Sequence, residues 1–216
     1  MSKLYSPDEA IKMVKQTAKA KFVESVDMAV KLGINAAKGG FSIRGVVPLP
    51  HGSGKSVRVA VITKSDKVAE AQAAGASVAG AEDLIEKISK GFLDFDILLA
   101  TPDMMGQVGK LGKILGTKGL MPNPKSGTVA PDIAKAINEF KAGKVEFRMD
   151  KGGVVHMLLG KVDFPPEHLQ ANLDASIAAL LKTKPSGTKG AYLKSVTVSA
   201  TMGPGIPIDP RSFMHE

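Results

Sequence analysis

Residues 57–63 read Val-Arg-Val-Ala-Val-Ile-Thr, and at this nearly unbroken apolar run the pattern of the chain changes. A strand buried on both faces of a parallel sheet has such a run, whereas a half-exposed strand alternates apolar and polar residues. Downstream, helix patterns alternate with strands predicted at 77–79 and 95–100, as far as a last helix over 132–141. The alternation predicts a Rossmann-like, three-layer α/β domain over residues 57–143, with helices on both faces of a small parallel sheet.

The segments on either side of this domain have a different pattern. Residues 26–35 alternate apolar and polar side chains, which predicts a half-buried strand. Toward the C-terminus, strands predicted at 145–149 and 154–159 flank the sequence Asp-Lys-Gly-Gly at 150–153, which is typical of a hairpin turn. These patterns favour an antiparallel sheet with one face against a core.

Two helices complete this second domain. Ser6 is a candidate N-cap, and Glu9 three residues later completes the signature of a capping box. A longer helix is predicted to begin at the two prolines that precede Glu167. We therefore expect one discontinuous α+β domain, residues 1–56 plus 144–216, in which an antiparallel sheet and two helices carry the α/β domain as an insertion.

The net positive charge of the chain lies mainly in the predicted discontinuous domain. Residues 1–56 hold nine basic and four acidic side chains and residues 144–216 hold nine and seven, whereas residues 57–143 hold eleven and ten. A basic domain beside a nearly neutral one is expected if only the basic domain meets a polyanion such as RNA. Aromatic residues make up only 5% of the chain, which argues against a platform on which many bases stack.

Composition also excludes several classes of site. The chain has no cysteine, so disulfides, thiolate metal sites and a cysteine nucleophile are excluded. Its four histidines lack the paired spacing of metal ligands, and no nucleophile or carboxylate pair accompanies them. No run of about 18 apolar residues is present to span a membrane, and the N-terminus lacks the layout of a signal peptide. We expect no metal, no cofactor, no catalysis and no membrane partner.

Two glycine-containing stretches were compared with nucleotide-binding motifs, and neither fits. Gly54-Lys55-Ser56 matches the end of a P-loop, but position 49 is leucine where that motif needs glycine, and the stretch precedes a strand. The glycines between positions 106 and 119 do not form the pattern G-x-G-x-x-G after a strand. A nucleotide- or dinucleotide-dependent enzyme that uses the inserted domain is the alternative to an RNA-binding protein.

Two further stretches are open to a structural and to a functional interpretation. Residues 120–125 read Leu-Met-Pro-Asn-Pro-Lys, either a rigid loop that closes the inserted domain or a backbone fixed in advance to meet a partner. Residues 201–205 read Thr-Met-Gly-Pro-Gly after a predicted strand, either the end of that strand or a place where RNA approaches closely. In the second interpretation Thr201 offers a small hydroxyl and Gly203 offers no side chain.

Motifs spread over essentially the whole chain resemble those of one protein family. They are Lys21-Phe22-Val23-Glu24-Ser25-Val26, Arg44-Gly45, Leu49-Pro50-His51-Gly52, Leu120-Met121-Pro122-Asn123-Pro124-Lys125 with Gly127-Thr128-Val129, Asp150-Lys151 with Gly153 and His156, Gly160-Lys161, and Thr201-Met202-Gly203. In this order they make the chain resemble the bacterial-type family of large-subunit ribosomal protein one, which builds the mobile stalk beside the exit site for transfer RNA.

The resemblance implies a split α+β domain with a Rossmann-like insert and a function that involves neither catalysis nor a cofactor. It implies a ribosomal protein that binds large-subunit rRNA, assists release of deacylated tRNA from the exit site (E site) and represses translation by binding its own mRNA. The implied state is a monomer within a cytoplasmic or organellar ribosome. The RNA-binding positions carried over are Lys21, Phe22, Glu24, Asp150, Lys151, Gly153, Thr201, Met202 and Gly203.

The chain departs from the family pattern in three places. Met149 replaces the asparagine usual before Asp150, so we expect one polar RNA contact fewer. Thr117-Lys118 stands where the family commonly has Pro-Arg, which predicts a looser turn of similar charge. The basic N-terminal extension of the family is nearly absent, and from this we expect a lower overall affinity for RNA.

Overall fold

In the computed structural model, which describes residues 3–34, 43–185 and 190–213, the chain divides into two units. Unit 1 comprises Met1–Lys55 and Gly143–Glu216, and unit 2 comprises Ser56–Ala142. Both units contain helices and strands, so the predicted mixed α/β chain is confirmed. Across the described ranges, no helix combines the length and the apolar character that crossing a bilayer requires.

The elements are numbered here in chain order. The strands are β1 (Ser25–Leu32), β2 (Arg44–Pro48), β3 (Val59–Ile62), β4 (Val78–Gly80), β5 (Ile97–Ala100), β6 (Lys144–Arg148), β7 (Val154–Lys161), β8 (Leu193–Ala200) and β9 (Ile206–Ile208). The α-helices are α1 (Pro7–Thr17), α2 (Ser65–Ala73), α3 (Glu82–Ser89), α4 (Met105–Val108), α5 (Gly112–Thr117), α6 (Ile133–Lys141) and α7 (Pro166–Lys182). Short 3₁₀ helices lie at Pro102–Met104, Gly109–Leu111, Pro124–Ser126 and Pro210–Phe213.

Unit 1 is built on an antiparallel sheet with the strand order β7-β1-β8-β9. In the central strand β1, Val26, Met28 and Val30 are buried, whereas the residues between them are not. This alternation is the one that the sequence predicted, although the strand ends at Leu32 and Asn35 lies outside the described residues. Helices α1 and α7 pack against the sheet and contribute their apolar side chains to the same core.

The turn predicted at residues 150–153 is present, but its two strands belong to different sheets. Strand β6 pairs with β2 and strand β7 pairs with β1, and Met149 and Val155 form a single bridge between them. The turn itself is stabilised locally, because the Asp150 carboxylate accepts a hydrogen bond from the Val154 N–H at 2.7 Å. Turn signals therefore placed the reversal of the chain correctly, whereas strand partners are chosen by long-range packing.

Unit 2 contains a parallel sheet with the strand order β4-β3-β5. All four residues of the central strand β3 are buried, which explains the apolar run at residues 57–63. Ala60 and Ile62 belong to one apolar core, and Val59 and Val61 belong to another. Since consecutive side chains of a strand point to opposite faces, apolar cores cover both faces of this sheet.

A buried asparagine on α7 holds the chain where it leaves unit 1. The Asn172 amide donates to the carbonyls of Leu159 at 2.7 Å and Gly52 at 3.0 Å, and its oxygen accepts from the His51 N–H at 3.1 Å. Gly143, where the chain returns, lies so close that an added Cβ would be 2.4 Å from the Gly52 Cα. Asn172 thus fixes the backbone of His51 and Gly52, close to the point where the chain leaves unit 1. Gly52 in turn leaves no room for a side chain at Gly143, where the chain returns.

Replacing Asn172 by alanine is expected to lower the free energy of unfolding by about 2–5 kcal/mol, because three backbone groups lose the partner that this buried side chain provides and a cavity is left. Urea unfolding followed by circular dichroism measures the change. The matched control is Ser176→Ala, one turn later on the same helix and equally buried. The Ser176 hydroxyl donates only to the Asn172 carbonyl of its own helix, so its loss should cost less than about 1 kcal/mol. Equal losses in the two variants would contradict the role given to Asn172.

Candidate nucleic-acid interface

One end of the sheet of unit 1 is organised by a buried carboxylate. Glu24 lies directly before β1 and is 2% exposed. Its Oε1 accepts a hydrogen bond from the Ala20 N–H at 3.0 Å, and its Oε2 accepts one from the Met202 N–H at 2.8 Å. The Glu24 carbonyl also accepts from the Val162 N–H at 3.0 Å. One residue therefore joins the segment before β1, the turn after β8 and the end of β7.

Thr201 attaches the turn after β8 to the start of β1. Its hydroxyl accepts from the Ser25 N–H at 3.0 Å and donates to the Ser25 carbonyl at 3.3 Å. The Thr201 hydroxyl, which was a candidate for contact with RNA, is thus hydrogen-bonded within the chain. Gly203 closes the turn by donating to the Ala200 carbonyl at 3.1 Å, and a Cβ at position 203 would press on the Ala200 Cβ at 3.2 Å.

Large apolar side chains face solvent around this framework. Phe22 is 57% exposed, Val23 is 50% exposed and Met202 is 75% exposed. In the described part of the chain, Leu4 is the one other large hydrophobic side chain with comparable exposure. Single exposed apolar residues are ordinary, but three beside one buried anchor make this end of the sheet the candidate interface. We call Lys21, Phe22, Val23, Glu24, Thr201, Met202 and Gly203 the end cluster.

Polar side chains line the sheet next to the end cluster, on the face away from the core. Lys161, paired with Ser25 across the sheet, donates from its Nζ to the Ser25 Oγ at 2.8 Å. Asp27 follows Ser25 on the same face, where desolvation raises the pKa of its carboxyl group, while the nearby Lys161 and His156 oppose the rise. Lys161 and Ser25 were missed as site residues, because only the register of β1 against β7 brings them together.

The remaining three predicted site residues lie at the opposite end of the sheet. Asp150, Lys151 and Gly153 form the turn before β7, and the Gly153 carbonyl accepts from the Leu32 N–H at 2.9 Å, where β1 ends. The length of β1 separates this turn from the end cluster by about 20 Å. The structure thus brings together six of the nine predicted residues, Lys21, Phe22, Glu24, Thr201, Met202 and Gly203, and leaves the turn apart.

Within this turn, two residues have structural roles. The Asp150 carboxylate caps the Val154 N–H, and Gly153 has φ +75, a left-handed conformation that favours glycine. Lys151 is exposed. Met149, where a polar RNA contact was expected to be lost, is 5% exposed and packs in the core of unit 1. The burial of Met149 is compatible with that expectation, which stays a prediction.

Comparison with known proteins gives one match to a protein family. The model of the Ribosomal protein L1p/L10e family matches residues 14–204. The chain belongs to this family. It is therefore a ribosomal protein of the large subunit that binds RNA, as the resemblance in the sequence implied, and its family is not one of enzymes.

In this L1-family chain, the loop predicted at residues 120–125 is fixed by its own hydrogen bonds. The Asn123 N–H donates to the Thr128 hydroxyl at 2.7 Å, and this hydroxyl donates to the Asn123 carbonyl at 3.1 Å. The Asn123 side chain accepts from the Lys125 N–H at 2.9 Å. Pro124 and Lys125 are exposed. The loop is rigid and also accessible, so both interpretations of its sequence remain compatible with the structure.

The carboxylate of Glu24 gives a direct test of the end cluster. Glu24→Gln keeps one acceptor oxygen and turns the other into a donor, so one buried N–H loses its partner and the free energy of unfolding should fall by about 1–3 kcal/mol. Hydrogen exchange at the Met202 or Ala20 amide should accelerate in the same variant. Glu70→Gln, at an exposed position of α2, is the control and should change neither quantity. A Glu24→Gln variant as stable as the parent would show that the carboxylate does not organise the cluster.

Proposed function

We propose that this L1-family chain binds large-subunit rRNA through the end cluster and thereby forms the mobile stalk beside the tRNA exit site. The observation that carries the proposal is the exposure of Phe22 and Met202 on either side of the buried Glu24 carboxylate. RNA helices hide their base edges in a deep, narrow groove, so proteins read shape, 2′-hydroxyls and unpaired bases. One aromatic ring and one flexible thioether, flanked by Lys21 and Lys161, suit an unpaired or bulged region of RNA.

We further propose that unit 1 is a split RNA-binding α+β domain and that unit 2 is a Rossmann-like domain inserted into it. The division of the chain and the two unlike sheets support this organisation. The charge distribution supports RNA binding by unit 1, since the residues of the two terminal segments carry most of the net positive charge. Lys21 of the end cluster and Lys151 of the turn at Asp150 would then both present their charge to RNA from unit 1.

A contact between unit 2 and exit-site tRNA is supported by the glycines of α4, of the 3₁₀ helix that follows it and of α5. A Cβ added at Gly106, Gly109, Gly112 or Gly116 would meet no atom within 4 Å beyond the backbone of its own helix. Glycine in a helix costs up to about 1 kcal/mol relative to alanine, and packing within unit 2 does not require it here. We infer that these bare backbones, with Lys110 and Lys113 between them, let a sugar-phosphate backbone approach.

Repression of translation would use the same surface of unit 1. A messenger that presents the unpaired shape recognised in rRNA would compete for Phe22 and Met202, so that excess protein binds its own mRNA. The enzyme alternative has no comparable support, because the family is a family of ribosomal proteins and unit 2 lacks the glycine pattern of dinucleotide sites.

Alanine substitutions in the end cluster test the proposed rRNA contact. Phe22→Ala should weaken rRNA binding about five- to 150-fold, the range expected when one base loses an aromatic stacking partner. Met202→Ala should weaken it in the same direction. The matched control is Leu4→Ala, which removes a side chain of similar exposure, 53%, outside the end cluster. Filter binding to the RNA recovered by pull-down from a lysate measures all three affinities. Parental affinity in both cluster variants would refute the interface.

Deleting unit 2 tests the assignment of RNA binding to unit 1. Joining Lys55 to Gly143 through a short Gly/Ser linker should give a folded protein, because Gly52 already lies against Gly143. This protein should retain most of the rRNA affinity, whereas the isolated segment 56–142 should bind weakly or not at all. Circular dichroism establishes folding before binding is measured. If the isolated segment bound rRNA as tightly as the full chain, the assignment would be wrong.

A further inference from the structure

Unit 2 contains a cavity at the point where the winding of its parallel sheet reverses. The chain passes from the central strand β3 to β4 on one side and then to β5 on the other side. In open α/β sheets, ligands bind in the crevice outside the carboxyl ends of the two strands at such a point. Here that crevice is a cavity of about 140 Å³, lined by Thr63, Lys64, Lys67, Thr101 and Asp103 together with two prolines.

Two buried threonines line this cavity. Thr63 directly follows β3 and is 0% exposed, and Thr101 directly follows β5 and is 5% exposed. Neither Oγ1 atom has a hydrogen-bond partner among the residues that the structure describes. Buried polar groups in native proteins are nearly always hydrogen-bonded. Two such hydroxyls side by side, at the carboxyl ends of neighbouring strands, point to an occupant that hydrogen-bonds to both.

The electrostatics of the cavity favour a small anion. Helix α2 begins at Ser65, one residue after Lys64 of the cavity wall, and no side chain caps its N-terminus. Lys64 pairs with Asp103 at 2.8 Å, and both side chains are exposed enough to separate. Lys67 adds a second positive charge, with its Nζ 3.4 Å from the Pro131 carbonyl. The two lysines balance Asp103 of the cavity wall and Asp66 of the first turn of α2, and the positive end of the helix dipole then favours an anion.

We propose that this cavity of unit 2 binds a phosphoryl group, either as free phosphate or as the phosphate of a small phosphomonoester. The hydroxyls of Thr63 and Thr101 and the ammonium group of Lys67 donate to its oxygens, and the N-terminus of α2 adds a favourable dipole. The two Oγ1 atoms are shielded from solvent, so binding requires a rotation about the Cα–Cβ bond that exchanges hydroxyl and methyl and turns each threonine toward the ligand. The site binds the phosphoryl group without catalysing a reaction, and it is independent of the RNA interface of unit 1.

Neighbouring carboxylates set the selectivity of the site. Asp103 lines the cavity, and Asp66 lies in the first turn of α2. Each repels additional negative charge, so the site accepts a single phosphoryl group better than a chain of phosphates. An adenosine triphosphate therefore binds more weakly than phosphate or adenosine monophosphate. This order is the reverse of the one expected for a nucleotide-dependent enzyme.

The experiment is a titration of the isotope-labelled full chain with inorganic phosphate, followed by amide NMR at constant ionic strength. Saturable shifts should be confined to residues 62–67 and 101–103, and chloride should produce none of them. Parallel titrations with adenosine monophosphate and adenosine identify the source of the phosphoryl group. Tighter binding of the monophosphate than of phosphate indicates a phosphomonoester, and equal binding indicates free phosphate. The absence of saturable shifts with both phosphate and the monophosphate would overturn the proposal, as would shifts elsewhere only.

Substitutions separate the site from non-specific attraction to lysines. Thr63→Val and Thr101→Val preserve volume and should each reduce phosphate affinity about tenfold or more, while the unfolding temperature without phosphate stays equal or rises. Lys67→Gln, at an exposed position, should also reduce affinity and serves if a threonine variant misfolds. The matched control is Ser126→Ala, because the Ser126 hydroxyl is equally buried and without a partner among the described residues but does not line the cavity. Parental affinity in Thr63→Val, Thr101→Val and Lys67→Gln, or an equal loss in Ser126→Ala, would refute the assignment.

Discussion

The carboxylate of Glu24 is the interaction on which the surface of unit 1 depends. It joins two backbone N–H groups, and the residue that provides the second, Met202, is 178 positions away in the chain. A buried carboxylate is costly unless its oxygens accept hydrogen bonds, and charged acceptors form stronger bonds than neutral ones. The same contact therefore stabilises the turn after β8 and fixes where Phe22 and Met202 emerge. Without it, the segments that carry these two exposed apolar side chains would be held less closely, through the bonds between Thr201 and Ser25.

The predicted site residues consequently fall into two kinds. Glu24 and Thr201 use their polar atoms inside the chain, as Asp150 does in the turn before β7. Phe22 and Met202 are exposed and remain available to a ligand. Residue types in a motif cannot separate these kinds, because a carboxylate or hydroxyl that builds a surface is identical in sequence to one that touches RNA. The hydrogen-bond partners, which the fold supplies, decide between them.

Local patterns were sufficient to predict the elements but not their partners. The run at residues 57–63 predicted a doubly covered parallel strand, and β3 is such a strand, because each of its residues is buried on one face or the other. The alternation that begins at Val26 predicted β1, because only one face of that strand is buried. The pairing of Ser25 with Lys161 could not be predicted, since it depends on the register of two strands and on an irregularity after Val26. A register is set by the packing of a whole face, so no single motif contains it.

The two sheets offer ligands opposite kinds of surface at their ends. In unit 1 the buried polar atoms of the end cluster are satisfied within the chain, so what remains outside is apolar and basic and suits a large partner recognised by shape. In unit 2 the hydroxyls of Thr63 and Thr101 lack partners in the described structure, so a ligand there would be selected by hydrogen bonds. The contrast follows from topology. The antiparallel strands of unit 1 end in turns whose N–H groups can be capped locally, whereas the parallel strands of unit 2 end together at one edge. The unit of this chain that contributes less charge is therefore the one in which the second, chemically distinct site is proposed.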